Sequence, residues 1–297
     1  MLNKKPIILL IAVATILATA LMVVYFLQKP VPSQDDKKVS PTENTPTEEV
    51  IKKTNPRTIG NSVEGRAIES YTFGHGSTTL LFVGGVHGGY EWNSVLLAYA
   101  VIDDLTKGNI SVPEGLRIEI IPSLNPDGIY QVTGKEGRFV ATDVKVNTSN
   151  GEGRFNANDV DLNRNFDCKW QTTSTWRNKK VSGGTAAFSE PEAQTLKKLV
   201  EEIKPQGVVF WHSQANAVYA SECKDGILPD TIKLMNTYAK AAGYKTIATF
   251  DAYPVTGDAE GWLASIGIPA ITVELSSHES IEWTKNKAGL EAVLKLY

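Results

Sequence analysis

The stretch TLLFVGGVHGGYEWNSVLLAYAVIDDL, Thr79 to Leu105, passes from a short apolar run into a helical pattern across a glycine-rich turn. Thr79 to Val83 has the length and apolar content of a strand buried on both faces. From Trp92 the apolar residues Val95, Leu96, Tyr99, Ile102 and Leu105 recur at the spacing of one helix face, and the pattern stops before Gly108. The same alternation recurs outward from this unit. Leu116 to Ile121, Gly207 to Trp211 and Ile271 to Leu275 read as further strands, and Ser189, Pro191 and Glu192 open a helical pattern that runs to Pro205, with Ser189 and Glu192 as a capping box. Strands alternating with helices predict a single α/β domain with a mixed, mostly parallel central sheet flanked by helices, its functional groups gathered at strand ends. Tyr130 to Gly184 has no clear period and is polar, the kind of long irregular stretch that carries function.

Before this domain the chain changes character. Ile7 to Leu27 contains no charged residue, which is about the length a helix needs to cross a bilayer. Lys4 and Lys5 precede it, so residues 1–6 are expected to be a cytoplasmic stub and 7–27 a transmembrane signal anchor, with everything beyond outside the cytoplasm. A cleaved signal peptide, and hence secretion, is the alternative. Residues 28–55 are rich in Pro, Thr, Glu and Lys and predict a disordered linker, leaving 56–297 as one folded domain, expected to be monomeric. A net charge of -3 lacks the basic excess that phosphate neutralisation demands, which excludes nucleic acid as a partner. Two cysteines, Cys168 and Cys223, are able to form a disulfide outside the cytoplasm or to remain buried thiols.

Four clusters carry chemistry. His87 and Glu91 stand at the mouth of the first helix, with Gly88 and Gly89 freeing the turn between them. His212 ends the apolar strand of VVFWHSQ, where a side chain emerges at the sheet's edge. Together they give the three protein ligands of a catalytic zinc, with a fourth position for water. His75 and His278 lie in polar stretches and read as surface residues. In DVDLNRNF, Asn163 and Arg164 form an amide and guanidinium pair suited to gripping a carboxylate, although Arg164 also has Asp161 and Asp167 as structural partners within reach. Glu274, at the end of ITVEL, is either a partnered structural carboxylate or, beside zinc, the base that takes a proton from water and passes it to the leaving nitrogen.

From Ile59 to the C-terminus this constellation resembles the zinc carboxypeptidase family of carboxypeptidase A-like peptidases. The motifs IGNSVEGRAI, PSLNPDGIY, DLNRNF, FSEPE and TVEL occur in family order. The resemblance implies Zn2+ as cofactor, Asn163 and Arg164 on the substrate's terminal carboxylate, and Glu274 as general base. Arg154 is implied as the arginine that polarises the scissile carbonyl, with Arg138 as the competing position, and Tyr253 as the tyrosine that closes over substrate. The family spaces its first two ligands as His-x-x-Glu, whereas HGGYE holds one more residue. That residue is expected to bulge outward and leave the ligands in place. Side-chain pocket residues are expected between Cys223 and Trp262, with Asp258 and Glu260 as candidates for an acidic floor. The expected activity is hydrolysis of a C-terminal peptide bond. The alternative is a peptidoglycan stem peptide, because branches of the family cut linkages to diaminopimelate.

Overall fold

Residues 56–297 are described by a computed structural model. The expected stub, membrane anchor and linker lie outside the described residues. Among the described residues no helix is long and apolar enough to cross a membrane.

The elements run in chain order as follows: β1 (Arg57–Asn61), β2 (Ala67–Gly74), β3 (Thr78–Val83), α1 (Trp92–Thr106), β4 (Leu116–Ile121), α2 (Pro126–Thr133), β5 (Thr173–Trp176), β6 (Lys179–Ser182), α3 (Pro191–Ile203), β7 (Gly207–Ser213), β8 (Ala217–Ala220), α4 (Pro229–Ala242), β9 (Lys245–Ile247), α5 (Ala259–Ser265), β10 (Ala270–Leu275) and α6 (Trp283–Leu294). Eight strands form one sheet in the order β1-β2-β4-β3-β7-β10-β8-β9, and β5 and β6 form a separate hairpin. The central strands β4, β3, β7 and β10 are mutually parallel, while β2 joins β4 and β8 joins β10 antiparallel. The four strands read from sequence are these central ones.

Side-chain alternation sends each central strand into two cores. Leu80, Phe82, Val209, Trp211, Ile271 and Val273 face α1, α4 and α6. Leu81, Val83, Val208, Phe210 and Ala270 face α3 and α5. Each such fully buried Leu, Val, Ile or Phe side chain contributes about 1.5–3 kcal/mol. By the same period of two, His212, Thr272 and Glu274 project on the α3 and α5 side. The sheet order reverses at β3, whose next strand β4 lies on one side and β7 on the other. The crevice at the carboxyl ends of β3 and β7 is therefore the topological switch point where α/β sheets bind ligands.

The α3 start differs from the sequence expectation. Glu190 is its N-cap residue without a side-chain cap, and Pro191 opens the first turn. Ser189 hydrogen-bonds Glu190, and Glu192 accepts from the Val63 amide and the Asn156 side chain instead of closing a capping box. Glu192 is used to tie the strand-connecting loop to the irregular segment.

Candidate active site

The ligand candidates meet. His87 follows β3 at the head of a short 3-10 turn, Gly88–Glu91, and His212 lies in β7. His87 Nδ1 is 2.8 Å from Glu91 Oε1, and His212 Nδ1 is 2.9 Å from Glu91 Oε2 and 3.1 Å from His87 Nδ1. All three side chains are buried. A tetrahedral ion with bonds near 2.0–2.1 Å places its ligand atoms about 3.3 Å apart, so this triangle has the size for zinc. The charge also suits a cation. Burial opposes ionisation of Glu91, but His87 and His212 hold its carboxyl well below the usual range. Burial likewise opposes a charged His212, and Glu91 and Glu260 raise it well above the usual histidine value. Among the described residues, these three form the group of His, Cys, Asp and Glu able to hold a metal ion.

The extra residue in HGGYE does not bulge outward, as the sequence suggested. Gly88, Gly89 and Tyr90 are all buried, because three backbone segments meet there. Gly89 donates its amide to Gly153 O at 2.9 Å, and a Cβ on Gly89 would lie 2.4 Å from Gly128 O. Gly153 has φ +73° and precedes Arg154, so the glycine contact sets the metal turn and the arginine against each other. Asn125 completes the joint. It caps α2 by accepting from Gly128 N at 2.9 Å and donates to the carbonyls of Arg154 and Phe155.

Behind each imidazole stands a carboxylate. His87 Nε2 is 3.6 Å from Asp161 Oδ1, and His212 Nε2 is 3.3 Å from Glu260 Oε1. Asp161 also binds Arg154 through Nε and Nη2 at 3.0 and 2.9 Å, leaving Arg154 Nη1 facing Glu91 at 3.9 Å. Burial pushes the Asp161 carboxyl up, yet Arg154 and His87 hold it far below its ordinary value. Asp161 was weighed from sequence as a partner of Arg164. It pairs Arg154 instead, and the DVDLNRNF motif that contains it was the available signal.

Glu274 lies beside His212 in register across β10 and β7. Its Oε2 is shielded from solvent and has no hydrogen-bond partner. Burial, then repulsion from Glu91, pushes its carboxyl up to about 8, and a cation held by His87, Glu91 and His212 would draw it back toward the ionised form. Asn163, Arg164 and Tyr253 line the same cleft of about 690 Å³ as His87, Glu91, Arg154, His212 and Glu274. Arg164 donates to Thr175 O through Nε and Nη2 and to Asn163 O through Nη1, and Asn163 Oδ1 accepts from the Ala259 amide. Tyr253 packs edge-on against Phe250 at 4.9 Å. Arg138 is elsewhere, exposed and paired with Asp103.

Two sequence readings need correction. His278 is buried rather than at the surface, with Nδ1 2.7 Å from Ser213 Oγ and its ring 4.5 Å from that of Tyr90. Its polar surroundings in sequence gave no sign of this, since the burial comes from elements distant in the chain. The pocket wall also differs from the range Cys223 to Trp262, since Tyr219 to Glu222 and Trp176 line the cleft from outside it and only its later part contributes. Pro229–Ala242 is helix α4, packed on the core, while Phe250 to Glu260 lines the cleft. Asp258 and Glu260 both line it. Asp258 caps α5 through Gly261 N at 2.7 Å, and Glu260 also accepts from Thr272 Oγ1 at 3.0 Å. Cys168 and Cys223 form a disulfide, Cα to Cα 6.0 Å. His75 is exposed, as expected.

The chain is similar to known proteins over this same region. A gamma-D-glutamyl-L-diamino acid endopeptidase 1 from Lysinibacillus sphaericus is 26% identical over 241 residues, covering 74% of this chain. The chain spans 60% of that relative's length. Among solved structures, murein-tripeptide amidase MpaA from Escherichia coli O157 superposes with a TM-score of 0.59 at 22% identity, over 81% of this chain and 91% of the other. Carboxypeptidase A from Helicoverpa armigera gives 0.63 at 18% identity, over 82% and 66%. At these identities the structural likeness concerns the fold. The Peptidase M14 zinc carboxypeptidase family matches residues 51–291, and with a match of that length this chain belongs to the zinc carboxypeptidase family, hydrolases that use Zn2+.

Proposed function

We propose that the protein is a zinc-dependent carboxypeptidase that hydrolyses the C-terminal peptide bond of peptides. The observation that carries this reading is Glu274 at the end of β10, in register with His212 and with a free, solvent-shielded oxygen facing the cleft that Arg164 also lines. His87, Glu91 and His212 are the proposed ligands. Zn2+ held by them supplies a Lewis acid that acidifies a bound water and polarises the scissile carbonyl.

The chain's own groups do the rest. Glu274 Oε2, lacking any other partner, accepts the water's proton and returns it to the leaving nitrogen. Arg154 is held at Nε and Nη2 by Asp161, which leaves Nη1 as its donor to the carbonyl oxygen as charge develops there. Arg164 has three of its five N–H groups engaged by backbone carbonyls, so two remain for the substrate's terminal carboxylate. The Asn163 amide N–H groups complete that clamp, and Tyr253 closes over the bound peptide. The N-terminal segment is proposed to anchor this domain to the membrane on its extracytoplasmic side, a placement that protease accessibility on intact cells tests.

A second reading, hydrolysis of a peptidoglycan stem peptide, is favoured by the names of the Lysinibacillus relative and of MpaA. Release of amino acids from stem peptides, measured against ordinary C-terminal peptides, separates the two. The base assignment is tested by Glu274→Gln. It is expected to bind one zinc per chain and to lose about 10²–10⁴-fold in kcat, and near-normal turnover would refute it.

A further inference from the structure

Asp161 fixes Arg154 along one edge of the guanidinium, through Nε and Nη2 at 3.0 and 2.9 Å. Two bonds on one edge set the group's position but leave its plane free to tilt about that edge, and tilting moves Nη1, the remaining donor, the furthest. A displacement of about 1 Å at a catalytic group costs about 10²-fold in rate. A second contact, on the face of the guanidinium, is needed to hold the plane.

That contact comes from the hairpin β5–β6, which stands apart from the main sheet. The Arg154 guanidinium carbon lies 4.4 Å from the Trp176 ring centre and 5.6 Å from that of Tyr90. The two rings meet edge-on at 5.2 Å and 78°, so the guanidinium sits in the corner between them. The corner is itself braced. Tyr90, inside the HGGYE turn, accepts from Arg177 Nη2 at 2.8 Å, and Phe155 packs edge-on against Trp176 at 6.3 Å. A Cβ on Gly151 would lie 2.7 Å from the indole, so the backbone closes against the ring there.

Arg177 and Lys179 also approach the Trp176 ring, at 5.1 and 5.9 Å, and burial decides among the three cations. Arg177 and Lys179 are exposed, where a cation over a ring contributes little, whereas Arg154 is 2% exposed and desolvated, where the attraction is largest. Backbone bonds tie the hairpin to the same segment. Asp161 N donates to Ser182 O at 3.0 Å, and Thr175 O accepts from Arg164 at 3.0 and 3.3 Å. We propose that Trp176 is a positioning residue, whose ring holds Arg154 at the tilt that aims Nη1 at the oxyanion developing on the scissile carbonyl. This rests on the hydrolytic reading above and adds to it the residue that aims Arg154.

The test compares kcat and KM of zinc-loaded variants on a peptide that wild type hydrolyses. Trp176→Leu is expected to lower kcat by about 10–100-fold, with KM within about threefold of wild type. Trp176→Phe, which keeps a ring face, is expected to recover most of that loss. In an Arg154→Met background, Trp176→Leu is expected to change kcat by less than about twofold, because the group it acts through is gone. A loss expressed mainly in KM, or an equal loss in both backgrounds, overturns the proposal. Should Trp176→Leu not fold, singly, doubly and triply fluorinated tryptophan in place of Trp176 weaken the ring face while keeping its shape. Stepwise loss of kcat with each fluorine is then expected, and a constant kcat overturns the proposal. Wild type that hydrolyses no peptide would sink the hydrolytic reading instead. Urea denaturation of the metal-free protein then carries the test: a stack between the two side chains makes the costs of Trp176→Leu and Arg154→Met non-additive, and additive costs overturn the proposal.

Discussion

Glu260→Gln changes one atom and removes one buried charge. Glu260 Oε1 is 3.3 Å from His212 Nε2 and 3.0 Å from the Thr272 hydroxyl, and the residue is 4% exposed. Burial pushes its carboxyl up, but the contact with His212 outweighs burial and holds it below the ordinary glutamate value. The nearby carboxylate favours the His212 proton on Nε2, so that with a cation bound the Nδ1 lone pair would be free to face it together with Glu91 and His87. Glutamine keeps the shape and an acceptor oxygen, yet it loses the charge that makes the imidazole a stronger ligand. Partners of this kind are worth about 10–100-fold in metal affinity, or about 1.4–2.7 kcal/mol. Competition with a chromophoric chelator is expected to show zinc dissociation constants raised by that factor, with the metal-free variant folded by circular dichroism. A constant within twofold of wild type would refute the reasoning. Asp161→Asn is expected to lose more, because Asp161 also neutralises Arg154.

Two further substitutions probe the scaffold. Gly89→Ala puts a Cβ 2.4 Å from Gly128 O and 2.6 Å from Val132 methyl groups, so it is expected to cost about 1–3 kcal/mol in urea denaturation. Zinc affinity should fall with it, since the same turn carries Glu91, and unaltered stability would contradict the packing argument. Asp258 has its carboxyl pushed up from 3.8 to about 6, by burial and then by Glu260. Its folded value exceeds its unfolded one, so the protonated carboxyl's contribution is present below about 3.8 and lost as pH rises through about 6. Asp258→Asn keeps the cap on Gly261 and removes this dependence. Wild type is expected to lose stability relative to the variant between those pH values, and parallel denaturation midpoints across the range would exclude the mechanism.

The parts of the fold legible in sequence are those governed by local pattern. The strands Thr78–Val83 and Gly207–Ser213 announce themselves because burial on both faces forces the continuous apolar runs Leu80 to Val83 and Val208 to Trp211. The edge strands β1 and β9 and the hairpin β5–β6 are short and half-exposed, so their residues carry no such run, and β8, between β10 and β9, is only four residues long. At the site, His212 was legible because an imidazole at the end of an apolar strand has few places to go. The place of Glu260 behind His212 and the burial of His278 were not, since each owes its position to a partner far along the chain, His212 for one and Ser213 for the other. The packing of HGGYE was read with the wrong sense for the same reason. Its two glycines signal freedom locally, but their use is to admit Gly128 and Gly153 from another segment.

The central claim is that His87, Glu91 and His212 share one zinc ion. A zinc-edge anomalous difference map from crystals of the zinc-loaded protein tests it most directly. One peak is expected between His87 Nδ1, His212 Nδ1 and the Glu91 carboxylate. A map whose peak lies away from these three side chains, or that shows none in protein retaining a full equivalent of zinc, would contradict the account.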